Sequence, residues 1–509
     1  MPRYAAVDIG SNSVRLLVSE TGPGGELRTL ALDRQVTRLG ESVFRNGIVS
    51  AEAMEFLCRQ LQAHAAIYRT HDVRAIRAVA TAAIRDASNR QEFLQRASQA
   101  LGAEVEVISG QEEARLIHLG VQTRWPHPKG RLLVVDVGGG SGEVMLSHNG
   151  RLEQAYSKPL GAVRLTEVFL KSDPPTAQEL HRMERFIDEK LSAPLARIGR
   201  GRFDRLVATS ATAAAVVCAV NRVPRDRREE ADRYRASRAQ VRRLYEKVRE
   251  MPLEKRRRLT GIGPRRAEIV VAGAAVFHRV LELFEHHSMY YLNSGVRDGI
   301  VADLAARGVG REVARLTRDQ RVVVEAMARK FGVATKHSRK VAELTNEIFD
   351  STHHLHQLPA GHGRLLEAAA YLLDIGHFVS DTGHHKHSEY LVANAELPGF
   401  TDLERRMIGL LCRFHRKNMP GPRHAFFQEL DAESKRTLLL MIPLIRLADG
   451  LDQGHEQPVE SVRVEQRNGS LQVQVRAKGD IDLEVWSAES LGEVFKQAYG
   501  LPLQVVKLR

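Results

Sequence analysis

Two short turns carry the residue types that phosphate chemistry needs. Asp8-Ile-Gly-Ser-Asn-Ser13 and Asp136-Val-Gly-Gly-Gly-Ser141 each open with an aspartate and run through glycine to a hydroxyl. Glycine lets backbone N–H groups approach an anion closely, and a neighbouring carboxylate can hold a divalent cation that offsets phosphate charge. A single Asp-x-Gly turn also marks ordinary hairpins. Two of them in matching contexts predict a duplicated fold that grips a phosphate chain between its halves.

Each turn needs two strands to hold it. Apolar β-rich runs precede the turns (Tyr4 to Val7, Leu132 to Val135) and follow them (Val14 to Val18, Val144 to Leu146), so each should join an antiparallel pair. Around the first turn the pattern predicts strands at Tyr4 to Ser19, Leu27 to Arg38, Arg74 to Ala80 and Glu104 to Ile108, with helices between and after them. Trp125 to Gly130 reads as a linker. Beyond it come strands at Arg131 to Val137, Glu143 to Ser147 and Asp204 to Ala208, and a helix capped by Thr176 and Glu179. Alternating strands and helices in both halves predict α/β domains over 1–124 and 125–309 with a cleft between them. Residues 310–455 read as nearly all helix and hold 12 of the 21 histidines. Residues 456–509 return to a small α+β unit, with a hairpin signal at Asn468-Gly469.

Composition narrows the class of partner. A formal net charge of +13 over 509 residues favours an acidic ligand, and between Arg222 and Arg266 lie 17 Lys or Arg against 7 Asp or Glu. Within that run, Arg256, Arg257 and Arg258 are expected to line the approach of a long anion. Gly261-Ile-Gly-Pro-Arg-Arg-Ala267 imitates a DNA-binding hairpin, but one short match does not make nucleic acid the expected partner. Three widely spaced cysteines offer no disulfide framework and no zinc knuckle. A strand beginning almost at the first methionine leaves no room for a signal peptide, and no apolar run reaches membrane-spanning length. A cytoplasmic location without membrane attachment is the expectation.

The two turns belong to a wider set. With Ser109-Gly-Gln-Glu-Glu-Ala-Arg-Leu-Ile117, Ala208-Thr-Ser-Ala-Thr212 and Ser294-Gly-Val-Arg-Asp-Gly299 they stand in the order and rough spacing of the exopolyphosphatase and guanosine pentaphosphate phosphohydrolase (Ppx/GppA) family, which the chain resembles over residues 1 to about 305. The resemblance implies the duplicated fold of the acetate and sugar kinase, chaperone ATPase and actin superfamily. It implies that Glu113 positions and deprotonates the attacking water, although two acids in a first helical turn would also suit a helix dipole. It further implies that Arg85 contacts phosphate, a role for which its planar fork is suited.

The remaining assignments follow from residue types. Asp8, Asp136 and Glu143 form a carboxylate set for Mg²⁺, with Mn²⁺ as the alternative. Ser11, Asn12, Ser13, Gly138, Gly139, Gly140 and Ser141 form the phosphate cradle. Ser210 sits in a small-residue turn expected to open a helix at Ala213, where an anion could bind. Asn293 to Gly299 is read as architectural. The expected reaction is processive removal of terminal orthophosphate from inorganic polyphosphate by a homodimer, with guanosine pentaphosphate hydrolysis as the rival. A non-catalytic sensor of guanosine tetra- or pentaphosphate, or a nucleic-acid binder acting through the basic run, is a further alternative.

The helical stretch resembles HD-type metal phosphohydrolases at His337, Asp374, His415 and Asp449, but Leu373 stands where that motif requires histidine. His377, His384, His385 and His387 lie nearby. A degenerate HD-like domain without a second active site is the expectation.

Overall fold

A computed structural model of the chain describes residues 1–22, 26–306, 315–467 and 469–508. The expected boundary between 309 and 310, and Asn468 of the hairpin signal, lie outside them. The chain divides into two compact units, Met1–Gly310 and Arg311–Arg509.

The first unit contains two sheets of matching design. In one, β1 (Arg3–Ile9), β2 (Ser13–Thr21), β3 (Leu27–Val36), β4 (Ala75–Ala80) and β5 (Val105–Val107) take the order β3-β2-β1-β4-β5. In the other, β6 (Arg131–Val137), β7 (Gly142–His148), β8 (Arg151–Lys158), β9 (Arg205–Thr209), β10 (Arg235–Ser237) and β11 (Ser288–Tyr291) take the order β10-β11-β9-β6-β7-β8. Without the β10 edge the two orders superimpose. In each, an antiparallel three-strand meander continues into two strands added in parallel. Both turns close the same way, with Gly10 N–H on the Ser13 carbonyl at 3.1 Å and Gly138 N–H on the Ser141 carbonyl at 3.0 Å. The sequence reading did not place β8, a half-exposed strand of mainly polar residues without a marked apolar alternation.

Helix α1 (Gly110–Arg124) lies between the sheets. Strand alternation sends Tyr4 and Ala6 of β1 to the face that packs on Leu116, and Leu132 and Val134 of β6 to the face that packs on Ala114, Ile117 and Val121. Two residues further along each strand, the same alternation places Asp8 and Asp136. Both aspartates therefore end inward-facing apolar rows, at the carboxyl ends of the strands, where ligands of α/β sheets gather.

Helix α2 (Ser210–Val220) follows β9 and starts three residues before the expected Ala213. Helix α3 (Val296–Ala306) returns to pack Ile300, Val301 and Leu304 against the first sheet. Gly120 and Gly299 permit its close approach to α1: a Cβ on Gly299 would stand 1.8 Å from the Leu116 carbonyl oxygen.

The second unit is helical up to its closing sheet. Its core joins α4 (Thr335–Ser351), α5 (Gly363–Leu372), α6 (His384–Ala393), α7 (Asp402–Phe414) and α8 (Ala432–Gly450) through residues such as Leu344, Ile348, Leu366, Ile408, Leu411 and Leu444. Strands β12 (Val459–Arg467) and β13 (Ser470–Ala477) form the expected antiparallel pair, and β14 (Leu503–Leu508) adds to β13 in parallel. Among the described residues no helix is long and apolar enough to cross a membrane.

Candidate active site

The two glycine turns face each other at contact distance. A Cβ on Gly139 would stand 3.1 Å from Ser11 Cβ and 3.3 Å from Asn12 N, and one on Gly140 would stand 2.5 Å from Ser11 Oγ. Only glycine fits between the turns at this separation. The Ser11 hydroxyl is buried there and has no hydrogen-bond partner among the described residues. Ser13 Oγ accepts from Arg15 Nε at 3.2 Å, and the Asn12 carbonyl ties down the amides of Thr37 and Arg38.

Four carboxyls gather at this junction. Asp136 and Glu143 are directly opposite in the β6–β7 register, and both are buried. Asp8 lines the adjoining cavity. Glu113 reaches in from the first turn of α1, whose Ser109 cap accepts from the Glu112 amide. Its neighbour Glu112 turns the other way, into a buried network in which Arg77 and Arg115 pair with it and with Asp303. The structure thus separates two adjacent acids that are equivalent in sequence: Glu112 braces α1 against α3, and Glu113 faces the cleft.

The electrostatics of this group are strained. Burial, the largest cause, pushes Glu113 up to about 7; Arg85 opposes this, and Asp8 and Asp136 add to it. Burial likewise raises Asp136 to about 6, against the Thr209 hydroxyl and Arg15. Glu143 is raised well above its usual range by burial and then by Glu113 and Asp136. Asp8 is raised by burial against Arg15 and Arg297. Hydroxyls supply part of the compensation: Thr209 Oγ1 donates to Asp136 at 2.5 Å and Ser157 Oγ to Glu143 at 2.8 Å. Among the described residues, neither Asp136 nor Glu143 has an ion-pair partner. Carboxylate oxygens suit a hard divalent cation, although among the described residues no three of these carboxyls bring ligand oxygens within 4.8 Å of one another.

Arg85 engages Glu113 Oε2 through both terminal nitrogens at 3.2 Å, and its Nη1 also donates to the Ile108 carbonyl at 2.6 Å. It is thereby fixed beside the carboxyl group. Ser210 lines the cavity with φ of 84°, but its hydroxyl donates to the Val137 carbonyl at 2.8 Å. Thr209, one residue earlier, is the hydroxyl that reaches Asp136.

The cavity beside Asp8 holds about 330 Å³ and its walls are rich in arginine. Arg15 and Arg34 are cross-strand neighbours on β2 and β3. Arg34 is depressed to about 8, by burial first and then by Arg15, Arg266, Arg228 and Arg225. Arg266 and Arg297 fall to about 10 from burial and from the same kind of crowding. Like charges held together at a partly buried site attract an anion. Arg225 and Arg265 continue the lining toward solvent in an adjoining recess that shares Arg34 and Arg228.

The basic run therefore contributes to the cleft through members other than those expected. Arg256 is buried against Asp173, and Arg257 pairs with Glu254 and Glu268, so these two hold the fold. The Gly261 to Ala267 turn packs Gly261 on the Cys218–Ala219 backbone and brings Arg265 and Arg266 to the recess. Asn293 to Asp298, read as architectural, also line the cavity.

Comparison with known proteins agrees with this geometry. A profile described as Ppx/GppA phosphatase family matches residues 17–307, and one described as Ppx/GppA phosphatase, domain III, matches residues 319–484. A Vibrio vulnificus (strain YJ016) protein named guanosine-5'-triphosphate,3'-diphosphate pyrophosphatase is 27% identical over 464 residues, which are 90% of this chain and 88% of the relative. The structure of an Aquifex aeolicus Ppx/GppA family member is similar with a TM-score of 0.53 at 31% identity, over 60% of this chain and 98% of that one. That of an exopolyphosphatase from Cytophaga hutchinsonii ATCC 33406 is similar with a TM-score of 0.56 at 26% identity, over 60% and 99%. With a family profile spanning more than half of its length, the chain belongs to the Ppx/GppA phosphatase family and is a phosphoanhydride hydrolase.

Proposed function

We propose that the chain removes terminal orthophosphate from inorganic polyphosphate, with Glu113 as the general base. The observation that carries this reading is a buried glutamate, raised to about 7, standing among Asp8, Asp136 and Glu143 at one end of an arginine-lined cavity. A base with its pKa near the working pH combines a useful deprotonated fraction with the drive to accept a proton. Glu113 takes a proton from water, whose oxygen bonds to the terminal phosphorus. The bridging P–O bond breaks, and orthophosphate and a chain one unit shorter leave.

The amides of Gly139 to Ser141 and of Ser11 to Ser13 would receive the oxygens of the reacting phosphoryl group, and Arg85 would hold Glu113 in place. Asp8, Asp136 and Glu143 would hold Mg²⁺ or Mn²⁺, which supplies charge neutralisation on the phosphate chain. The arginines from Arg15 and Arg34 out to Arg225 and Arg265 would carry the rest of the polymer. The matching topology of the two sheets supports placing this cleft in the kinase, chaperone ATPase and actin superfamily. A cytoplasmic homodimer belongs to the same reading, and sedimentation tests the dimer.

A second reading, hydrolysis of guanosine pentaphosphate, is favoured by the printed name of the Vibrio relative and by its coverage of nearly the whole chain. Phosphate release from long polyphosphate and from guanosine pentaphosphate, measured side by side, separates the two. A higher kcat/KM on polyphosphate is expected; a higher value on the nucleotide transfers the proposal to it.

A further inference from the structure

A second group of ligand-type side chains lies wholly within the helical unit, around Asp374. Helix α5 ends at Leu372, Leu373 turns into the core, and Asp374 follows. His337 comes from α4, Asp449 from α8, His384 from the start of α6, and His415 follows α7. His377 lies three residues past Asp374. His337 Nε2 stands 3.7 Å from Asp374 Oδ2 and 3.5 Å from Asp449 Oδ1. On the other carboxylate oxygen, Oδ1, His377 Nε2 stands at 3.8 Å and His384 Nε2 at 3.7 Å. His415 Nε2 is 3.5 Å from His384 Nε2.

What distinguishes these four rings from an ordinary polar cluster is the occupation of their other nitrogens. Nδ1 of His337 meets Asp452 Oδ2 at 2.7 Å, and Nδ1 of His377 meets Asp381 Oδ1 at 2.7 Å. Nδ1 of His384 meets the Asp381 carbonyl at 3.3 Å, and Nδ1 of His415 meets the Cys412 carbonyl at 2.7 Å. Every one of these partners is an acceptor, so each neutral ring carries its proton on Nδ1 and presents a lone pair at Nε2. Metal-binding histidines are oriented by this arrangement, with a carboxylate or carbonyl on the far nitrogen.

His337 Nε2 is buried on a side chain only 4% exposed, and among the described residues its nearest partners are carboxylate oxygens, Asp449 Oδ1 at 3.5 Å and Asp374 Oδ2 at 3.7 Å. The lone pairs of His384 and His415 face each other, with the exposed Arg416 as the nearest donor, its Nη1 3.3 Å from His384 Nε2. A proton on His337 would relieve that ring but not the facing pair. A metal ion bound at about 2.0–2.1 Å places tetrahedral ligands about 3.3 Å apart, a few tenths of an ångström closer than His377 and His384 stand to Asp374 Oδ1.

We infer that the helical unit binds a divalent transition-metal ion at Asp374 Oδ1, drawing its nitrogen ligands from His377 and His384, a group whose ligand atoms lie within 4.8 Å of one another. A donor set rich in imidazole suits zinc, cobalt, nickel or iron better than magnesium. Leu373 removes one histidine of the HD pattern, and rings from the segment after it take over the role. Asp374 offers one oxygen to His337 and the other to His377 and His384, and Asp449 adds a carboxylate on the His337 side.

The test uses the full chain stripped by a chelator and titrated with Zn²⁺, followed by metal analysis, and with Co²⁺, followed by visible absorption. Asp136→Asn removes a cleft carboxylate, so that metal still bound in this variant belongs to the second group. The parent and Asp136→Asn should each retain at least one equivalent of Zn²⁺ per chain. Adding Asp374→Asn should weaken that binding by at least about tenfold, with circular dichroism unchanged. Asp381→Asn, whose carboxylate meets Nδ1 of His377 at 2.7 Å, should weaken it by about 10- to 100-fold. His377→Ala, at a half-exposed ring, gives the same readout if Asp374→Asn does not fold. Binding that is unchanged in both Asp374→Asn and His377→Ala, or no Zn²⁺ retained by Asp136→Asn, would overturn the inference.

Discussion

The two sheets of the first unit carry corresponding residues of opposite chemistry. At the level of the aspartates, the first sheet reads Arg34, Arg15, Asp8 and Val79 across β3, β2, β1 and β4. The second reads Ser157, Glu143, Asp136 and Thr209 across β8, β7, β6 and β9. The aspartate occupies the same place in both, while its neighbours are cations in one half and an acid with two hydroxyls in the other. On the proposed reading the duplicated backbone has become a two-sided clamp, in which the first row would hold anions and the second would hold a cation and keep its carboxylates in place.

If this division is right, variants of the cleft should fall into distinct classes. The largest effect belongs to Glu113, which sits between the rows. Glu113→Gln keeps the shape but cannot accept a proton, and should lower kcat by about 10²- to 10⁴-fold with polyphosphate affinity little changed. Phosphate release and equilibrium binding by the same preparation check both halves of that statement.

Thr209→Val gives the second row the apolar neighbour that Val79 provides in the first. Asp136 then loses its 2.5 Å hydroxyl contact, and the apparent Mg²⁺ affinity should fall by about tenfold in a metal titration of activity. An unchanged metal requirement would separate Asp136 from the cation.

The raised carboxyls also predict how stability follows pH. Glu113 and Asp136 bind protons more tightly in the folded chain than in the unfolded one, since they lie near 7 and 6 in the fold, above their ordinary values of 4.5 and 3.8. The protonated forms therefore contribute stability below pH about 4, and that contribution is lost as pH rises through about 6 and 7. In chelator, Tm should decline across this window from these groups, and Glu113→Gln or Asp136→Asn should flatten the decline. Calorimetry at several pH values reads the slope.

The smallest effect concerns the first row without ligand. Arg34 stands directly across from Arg15, and like charges opposite each other on paired strands cost about 0.2–1 kcal/mol. Arg34→Gln should leave the free protein as stable as the parent or slightly more so. A clear loss of Tm would mean that the arginine serves the fold.

Much of the site was legible because its signals are local. An aspartate, glycine and hydroxyl between two β runs announced both turns, and Ser109 before two glutamates announced the start of α1. What escaped depends on distant pairing. Arg15 and Arg34 gain meaning only from the β2–β3 register, and Glu112 is distinguished from Glu113 only by Arg77 and Asp303, which come from β4 and α3. Arg256 looked like part of a polymer track because its partner, Asp173, lies 83 residues away. In the helical unit, Leu373 is buried in the core. His377 and His384 were visible beside Asp374 in sequence, but their approach to one of its oxygens depends on the turn between them.

The most direct test sets one residue of each row against the other in steady-state kinetics on long polyphosphate. Arg34→Gln should raise KM by about tenfold and leave kcat within about threefold, because it removes a contact made to ground state and transition state alike. Glu143→Gln should lower kcat by about 100-fold and leave KM within about threefold. The opposite split, with Arg34→Gln acting on kcat and Glu143→Gln on KM, would contradict the division of the cleft into an anion-holding row and a cation-holding row.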